Sequence, residues 1–241
     1  MLTPVTEPEN RLIEDLPMAD RRALLAQCEP FELVMEQVLI ERGQVTRHVY
    51  FPIDGFVSLV TQVDSHEALE VGMVGREGMV GINLALGVSD APLRALVQGP
   101  GVARRVSAAA FARLLAGSAA LRRILHRYVH VLMAQQSESA ACLRFHQIGP
   151  RLARWLLMTH DRAYSDRFHV THEFLAYMLG VRRVGITTAA MGLQRRGLIA
   201  YSRGEVVVLD RAGLEAAACI CYETDRQTYI AHMAQPARRP S

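Results

Sequence analysis

Residues 171–199, THEFLAYMLGVRRVGITTAAMGLQRRGLI, decide the fold of this chain. Their apolar spacing predicts a short helix, a tight turn and a second helix. Small Ala176 allows the two helices to approach closely, Gly180 supplies the turn, and branched Ile186 fills the angle between the helices. This spacing is typical of a helix-turn-helix, whose second helix enters the major groove of DNA, although any short helical hairpin can carry the same small residues.

The segment that follows the second helix strengthens this interpretation. Gly197 is a good stop for a helix, residues 198–201 and 205–209 have the composition of strands, and residues 202–204 have that of a hairpin turn. A helix-turn-helix followed by a hairpin is a winged helix. Residues 168–170 predict a short strand that pairs with this wing.

The positive charge is concentrated in the C-terminal part. Residues 1–149 contain 14 Arg and 16 acidic residues, a net charge of −2, whereas residues 150–241 contain 13 Arg and 8 acidic residues, a net charge of +5. The excess therefore lies with the predicted helix-turn-helix, as nucleic-acid binding requires. All 27 basic residues are Arg, which we attribute to codon usage in a GC-rich genome.

Length and composition exclude several classes of protein. A chain of 241 residues with 50% hydrophobic content can form two domains with substantial cores. No apolar run approaches the roughly 20 residues of a membrane span, and residues 1–9 lack the pattern of a signal peptide. The four scattered cysteines do not suit a disulfide framework, so we expect a cytoplasmic, reducing environment.

The N-terminal half predicts a helix followed by many short strands. Residues 9–28 have a helical apolar face. Short apolar or alternating runs, separated by turn residues, occupy residues 31–34, 38–40, 48–51, 55–60, 68–71, 95–97 and 102–106. Many short strands at close spacing favour a small antiparallel barrel or sandwich.

A long helix follows these strands. After a short helix at residues 108–117, the helical pattern continues over residues 118–146. Its stripe advances in alternating steps of four and three residues, as in a coiled-coil seam: Leu121, Leu125, Tyr128, Leu132, Gln135, Ser139 and Cys142. We favour a dimer seam over the alternative, a helix packed on its own barrel. In a dimer, paired recognition helices about 34 Å apart contact two half-sites.

Gly149-Pro150 is the best domain boundary, because proline ends or kinks a helix. We predict an N-terminal helix and effector β-roll over residues 1–117 and a dimerisation helix over residues 118–148. Residues 149–241 then hold a winged helix-turn-helix with a C-terminal helix and a tail, disordered over residues 235–240. The predicted fold class is α+β.

The order of roll, long helix and winged helix resembles the Crp/Fnr superfamily of bacterial transcription regulators, over about residues 10–212. The resemblance rests on residues 71–81, VGMVGREGMVG, on residues 149–157, GPRLARWLL, and on residues 171–209. It implies an antiparallel, jelly-roll-like effector roll, a dimerisation helix and a DNA-binding winged helix. The resemblance therefore implies a homodimeric, DNA-binding transcription regulator.

The resemblance also defines a candidate effector pocket. Members that bind cyclic nucleotides carry a Gly-Glu pair and, about ten residues on, Arg-Ser or Arg-Thr; here Ile82 replaces the Glu, and the second pair falls on Ala91-Pro92. An unpaired ribose hydroxyl costs about 1–3 kcal/mol. We expect a degenerate site with a different effector or none; a cAMP- or cGMP-responsive regulator with an altered cassette is the alternative. The candidate pocket residues are Glu77, Met79, Ile82, Asn83 and Arg94.

The resemblance places the DNA contacts along the winged helix. The family's recognition helix opens with Arg and then Glu, with a second Arg four residues after the Glu; Arg183 matches the first Arg, whereas Val184 and Thr188 replace the other two. We expect Arg183 with Arg182 to contact guanine, and Thr187 and Thr188 to reach bases or thymine methyl groups. The candidate phosphate contacts are Thr171, at a helix N-terminus, and Arg195, Arg196 and Arg203, for which a solvated side chain is the alternative.

No other group of residues predicts chemistry. Cys219-Ile-Cys221 lacks the two further ligands of a zinc site, so we favour buried cysteines. His126 and His130 lie four residues apart without a third ligand, which favours solvated or dimer-facing histidines. The N-terminal part has only Cys28, so the iron–sulfur centre of Fnr-type members is not expected. We predict no catalytic residue, no metal, no cofactor and no enzymatic activity.

The expected partners are a double-stranded DNA operator and a second copy of the chain. RNA polymerase is a candidate partner, the small-molecule effector is unknown, and no membrane is involved. The alternative from another class is a protein-interaction module whose winged helix no longer contacts DNA.

Overall fold

The structure is a computed structural model that describes residues 9–64 and 67–233. It has antiparallel sheets near the N-terminus, then a long helix, then a winged helix-turn-helix, which confirms the predicted α+β class. The chain divides into two compact units, residues 1–57 with 74–126 and residues 58–73 with 127–241. Within the described ranges, no helix has the length and apolar composition that crossing a bilayer requires. The predicted tail lies outside the described residues.

Two short helices stand where the sequence predicts one. Helix α1 spans Arg11–Glu14 and helix α2 spans Met18–Leu25. The break falls at Pro17, which has no N–H to donate and disfavours a helical conformation in the residue before it. Leu12 and Leu24 are nevertheless buried, so the predicted apolar face keeps its place in the core.

The short apolar runs form strands, as predicted. The strands of this part are β1 Glu29–Leu33, β2 Val38–Ile40, β3 His48–Pro52, β4 Phe56–Asp64, β5 Glu67–Val74, β6 Arg94–Gly99 and β7 Gly101–Ser107. One sheet has the order β1-β7-β3, with β7 antiparallel to both neighbours, and the other has the order β2-β6-β4-β5. Phe51 and Phe111 are fully buried in the core beside the first sheet, with ring centroids 6.4 Å apart.

Serine caps fix where the next helices begin. A 3₁₀ helix, Ile82–Leu86, lies between β5 and β6, and helices α3 (Ala108–Gly117) and α4 (Ala119–Phe145) follow β7. The side chains of Ser107 and Ser118 accept hydrogen bonds from the N–H groups three residues later, at 3.3 and 2.9 Å. Each serine satisfies a backbone donor that has no partner within its helix.

The interruption after α4 lies before Gly149-Pro150, contrary to the prediction. Helix α5 spans Ile148–Ala163, so this dipeptide belongs to its first turn. Proline is tolerated there because the N–H groups of a first turn have no intrahelical acceptor to lose. The chain leaves the helical path at residues 146–147 instead.

Four residues of the predicted dimer seam are buried within the chain itself. Leu121, Leu125, Tyr128 and Cys142 are each at most 2% exposed. They offer no free surface, so this part of the seam is wrong, whereas Leu132 and Gln135 are half-exposed. A second stripe has the same spacing, and each of its residues directly follows a residue of the first stripe. Its residues are half-exposed or exposed: Val129, Met133, Gln136, Ala140 and Leu143. It is rotated by about 100° around the helix.

The C-terminal part is a winged helix-turn-helix followed by two helices. Its elements after α5 are β8 Arg167–His169, α6 His172–Leu179, α7 Arg183–Arg195, β9 Ile199–Ser202, β10 Glu205–Val208, α8 Arg211–Ala217 and α9 Cys221–Met233. The sheet order is β8-β10-β9, and both pairings are antiparallel. Phe168 of β8 pairs with Val206 of β10, which confirms the predicted strand beside the wing.

Candidate nucleic-acid interface

Four residues set the start of α6 and its angle to α7. The hydroxyl of Thr171 accepts a hydrogen bond from the N–H of Phe174 at 3.1 Å, so Thr171 is the N-cap. Gly180 ends α6 with a φ of 61°, a left-handed conformation that favours glycine. Ala176 and Ile186 are buried between the helices. The structure therefore places the cap, the turn and the two packing residues in the roles that their spacing predicts.

Helix α5 supports the helix-turn-helix at two points. The guanidinium of Arg151 donates to the carbonyl of Leu179, the last residue of α6, whose carbonyl has no partner within the helix. At Gly185 of α7, an added methyl group would lie 2.7 Å from Cδ1 of Ile148. The absence of a side chain at Gly185 thus allows α7 to lie directly against the start of α5.

A cluster around His172 ties α6, α7 and the wing together. Nδ1 of His172 lies 3.1 Å from the hydroxyl of Thr187, and its ring packs edge-on against Tyr201 with centroids 4.5 Å apart. The Tyr201 hydroxyl in turn donates to the carbonyl of Val170 at 2.6 Å. Burial lowers the pKa of His172, and the charge of Arg183 lowers it further. The imidazole is therefore neutral at physiological pH.

The outward face of α7 combines a cation with apolar and small polar groups. Arg183 and Thr188 are exposed, and Val184 and Met191 are 69% and 52% exposed. The Thr188 hydroxyl donates to the carbonyl of Val184 at 3.0 Å, which leaves its methyl group and the remaining lone pair for an outside partner. The sequence does not predict Met191 as a site residue, and it shows Val184 only as the residue that replaces the Glu of the family motif. Their exposure, which spacing alone does not reveal, distinguishes them from core residues.

Exposed arginines lie on α7, next to both of its ends and in the wing. Arg182, at the N-cap of α7, and Arg183, Arg195, Arg196 and Arg203 are exposed, and none forms an ion pair with a residue that the structure describes. An arginine that is not neutralised within the chain can bind phosphate or guanine in a planar, bidentate manner. The predicted DNA-contacting residues therefore lie on α7, beside its end, at the N-cap of α6 and in the wing.

The wing presents Arg203 at the tip of a two-residue turn. Arg203 and Gly204 have φ values of 53° and 83°, between the paired residues Ser202 and Glu205. Two successive positive φ values are typical of a type I′ hairpin turn. The turn thus holds Arg203 between the two strands of the wing, exposed to solvent.

Most of the predicted effector residues are buried or are bonded to neighbouring groups of the roll. Met79 is buried, and the Glu77 carboxylate accepts from the N–H of Gly75 at 3.1 Å. The amide of Asn83 donates to Thr46 Oγ1 at 3.0 Å and to the carbonyl of Val88 at 2.9 Å. Ile82 is half-buried in the 3₁₀ helix, and Nε of Arg94 lies 3.4 Å from Glu41 Oε1.

A separate cavity of about 310 Å³ lies along β2 and β3. Its walls include Glu41, Arg47, His48 and Tyr50, and none of the predicted pocket residues lines it. Burial lowers the pKa of His48 and raises that of Tyr50. Met79 is buried and Asn83 is hydrogen-bonded within the roll, and neither lines this cavity. The predicted effector pocket therefore stays a prediction.

Residues 150–217 match the model of the Crp-like helix-turn-helix domain. Solved structures extend the likeness over the roll and the long helix. The structure of FixK2 from Bradyrhizobium japonicum has a TM-score of 0.67 and 14% identity over 80% of this chain and 98% of its own. The chain has the Crp/Fnr fold. This finding confirms the resemblance inferred from the sequence.

Two further solved structures align with this chain over a similar share of its length. A Crp-family transcriptional regulator from Thermus thermophilus has a TM-score of 0.65 and 23% identity, over 79% of this chain and 96% of its own. The c-di-GMP-responsive regulator CLP of Xanthomonas campestris has a TM-score of 0.65 and 17% identity, over 80% of this chain and 99% of its own. No curated protein matches the chain in sequence.

Proposed function

We propose that the chain is a homodimeric transcription regulator that binds a DNA operator through α7. The observation that carries the proposal is the outward face of α7, where Val184 and Met191 are exposed near exposed arginines that form no ion pair with any residue that the structure describes. An α-helix fits the major groove, and the N-terminal residues of a recognition helix contact base edges. A winged helix that served only as a protein-interaction module would have no need of a cationic rim of this kind.

Arg183 is the principal reader of base identity. It opens α7, is exposed, and can donate two hydrogen bonds to O6 and N7 of guanine, which is worth about 1–3 kcal/mol of discrimination. Val184 and the methyl group of Thr188 supply apolar contacts for thymine methyl groups. The operator therefore contains guanine beside thymine in each half-site.

Phosphate contacts fix the position of α7 in the groove. The N-terminus of α6, capped by Thr171, presents backbone N–H groups and the positive end of the helix dipole. Arg195 follows the recognition face, and Arg203 lies at the wing tip. Contacts of this type carry no sequence information but contribute most of the salt-dependent affinity.

The exposed stripe of α4 is the dimer contact in this proposal. Val129, Met133, Gln136, Ala140 and Leu143 repeat in steps of four and three, and Met133 is 63% exposed. Two such stripes can pack as a coiled coil and place two α7 helices on successive half-sites. Met133→Glu should convert the dimer to monomer in analytical ultracentrifugation, whereas Gln135→Glu, on the adjacent face, should leave the dimer intact.

The roll does not respond to cyclic nucleotides in this proposal. Ile82 offers no acceptor for a ribose hydroxyl, and Asn83 is engaged by Thr46 and Val88. An effector, where one acts, must bind the DNA-competent arrangement of the two winged helices more tightly than the other arrangement. Neither cAMP nor cGMP should therefore change the affinity for DNA.

The decisive test is binding to a DNA fragment from the region upstream of the protein's own gene. The wild-type chain should bind it specifically, with and without cAMP, and the Arg182→Ala/Arg183→Ala double variant should lose specific binding. Arg113→Ala, which removes an exposed arginine of α3, is the matched control and should bind like wild type. Unchanged binding by the double variant would overturn the assignment of α7, and binding that requires cAMP would overturn that of the roll.

A further inference from the structure

Three cysteines and a histidine converge where the C-terminal helices meet the end of α4. The donor atoms of Cys142, His146, Cys219 and Cys221 all lie within 4.8 Å of one another. The three cysteines are buried, and His146 is half-buried. In the sequence, Cys219-Ile-Cys221 supplies only half a site, because the other two residues lie more than 70 positions earlier.

Two local structures aim the four donors at one point. His146 directly follows α4, four residues after Cys142, and its N–H donates to the Cys142 carbonyl at 3.1 Å, which keeps the helical spacing between the two residues. Residues at this spacing share one face of a helix. Cys219 lies in the turn that leads into α9, whose first residue is Cys221. Ile220, between them, is 72% exposed, so the two thiols share one side of the turn.

Two of the six separations between these donor atoms are close to the edges of a tetrahedron around a single ion. Sγ of Cys142 lies 3.5 Å from Sγ of Cys219, and Sγ of Cys221 lies 3.5 Å from Nδ1 of His146. A tetrahedral Zn²⁺, with bonds of about 2.3 Å to sulfur and about 2.0–2.1 Å to nitrogen, requires edges of roughly 3.8 Å between two sulfurs and roughly 3.6 Å between sulfur and nitrogen. These two separations involve all four side chains, and the other four separations are at most 4.8 Å.

Cations face the cluster. Arg154 is buried, pairs with Asp225 at 2.6 Å, and donates to Ser139 on α4 at 3.2 Å. Arg151 lines the same pocket as Cys142 and Arg154. Three thiolates with one divalent cation carry a net charge of −1, which these arginines can balance.

We propose that Cys142, His146, Cys219 and Cys221 form a structural zinc site that fastens the start of α9 to the end of α4. Three thiols lose their protons to solvent and bind Zn²⁺ together with the neutral imidazole of His146, with no change of oxidation state. A set of three Cys and one His leaves no open position, which is typical of structural rather than catalytic zinc. The proposal is independent of the proposed DNA-binding function.

Two other chemistries fit the geometry less well. Iron–sulfur clusters contain several irons and bridging sulfides, and four donors within 4.8 Å of one another enclose only one ion. A disulfide between Cys142 and Cys219 would require their sulfurs to close from 3.5 Å to about 2.05 Å, and it would leave Cys221 and His146 without a role. Soft thiolates with imidazole in tetrahedral arrangement select zinc among the common divalent cations.

The test is the metal content of the full chain, purified under reducing conditions from cells supplied with zinc. Elemental analysis should find one zinc per chain, released on addition of a thiol-blocking mercurial. After removal of zinc, added Co²⁺ should give the sulfur-to-cobalt charge-transfer and d–d absorption of a tetrahedral thiolate site. Loss of zinc should lower the melting temperature, because a metal that binds only the folded state stabilises it.

Matched variants separate ligands from bystanders. Cys219→Ser, Cys221→Ser and His146→Ala should each lose the stoichiometric zinc, whereas Cys28→Ser and His126→Ala should retain it, since neither belongs to the cluster. Circular dichroism checks that each variant is folded. Wild-type protein without zinc and without the Co²⁺ spectrum overturns the proposal, as does a Cys142–Cys219 disulfide found by mass spectrometry of the freshly prepared protein.

Discussion

His172 and Thr187 join the two helices of the helix-turn-helix, side chain to side chain, at 3.1 Å. The Thr187 hydroxyl also lies 3.1 Å from the carbonyl of Arg183. A hydroxyl has one proton, so both contacts are hydrogen bonds only when Thr187 donates to the carbonyl and Nδ1–H of His172 donates to Thr187. The neutral tautomer protonated at Nδ1 therefore holds the first turn of α7 against the start of α6.

The coupling between these two side chains is measurable. The Thr187→Val/His172→Ala double variant should lose less free energy of unfolding than the two single variants lose in sum. Urea denaturation should give a coupling free energy of about 0.5–1.5 kcal/mol. Thr188→Val is the control, because the Thr188 hydroxyl donates within its own helix, to the carbonyl of Val184. Strict additivity for the Thr187 pair would show that the contact is not a hydrogen bond in solution.

Val184 should contribute to sequence preference through a thymine methyl group. Its side chain is 69% exposed beside Arg183, where the recognition helix faces bases in the proposed complex. Val184→Ala should weaken operator binding several-fold, and replacing the operator thymines by uracil should weaken wild type but not the variant. Fluorescence anisotropy on the two operators measures both effects. If uracil weakens binding of both proteins equally, Val184 does not contact a thymine methyl group.

Arg195 and Arg203 should act through phosphates. Each replacement by alanine should lower affinity for specific and nonspecific DNA alike, and should reduce the slope of log affinity against log salt by about 1. Arg113→Ala provides the comparison, because it removes the same charge from α3. A loss confined to the specific operator, with an unchanged slope, would instead mean that the side chain contacts a base.

Local sequence determined the winged helix well because its determinants lie close together along the chain. Gly180 must adopt a positive φ and Ile186 must fill the angle between two adjacent helices, and both requirements appear within one short stretch. The wing follows from the Ser202–Glu205 turn for the same reason. Strands of the roll are also recognisable from alternating runs and turn residues.

Burial and long-range proximity could not be predicted in this way. Helix α4 carries two stripes with the same spacing, and only the packing of the folded chain shows that Tyr128 is covered while Met133 is exposed. Likewise, Cys142 and Cys219 are 77 residues apart and meet only through the return of the C-terminal helices. Pro150 does not end a helix here, because a proline that breaks a helix interior is tolerated in a first turn.

Glu70 should make stability depend on pH in an unusual direction. Burial raises the pKa of this carboxyl from 4.5 to about 7, although the Ser58 hydroxyl, which donates to it at 2.5 Å, and Arg162 favour the ionised form. Because the folded-state pKa lies above the unfolded value, the stabilisation is complete below pH 4.5 and is lost as the pH rises to about 7. The loss amounts to about 1–3 kcal/mol.

Glu70→Gln isolates this contribution. The variant keeps a neutral side chain of similar shape, so its free energy of unfolding should exceed that of wild type at pH 8 and approach it at pH 5, as measured by urea denaturation across this range. Glu173→Gln, which removes an exposed carboxylate of α6, should leave the pH dependence of wild type in place. If Glu70→Gln is instead less stable than wild type at pH 8, the ionised carboxylate stabilises the folded state through Arg162, and burial does not raise its pKa.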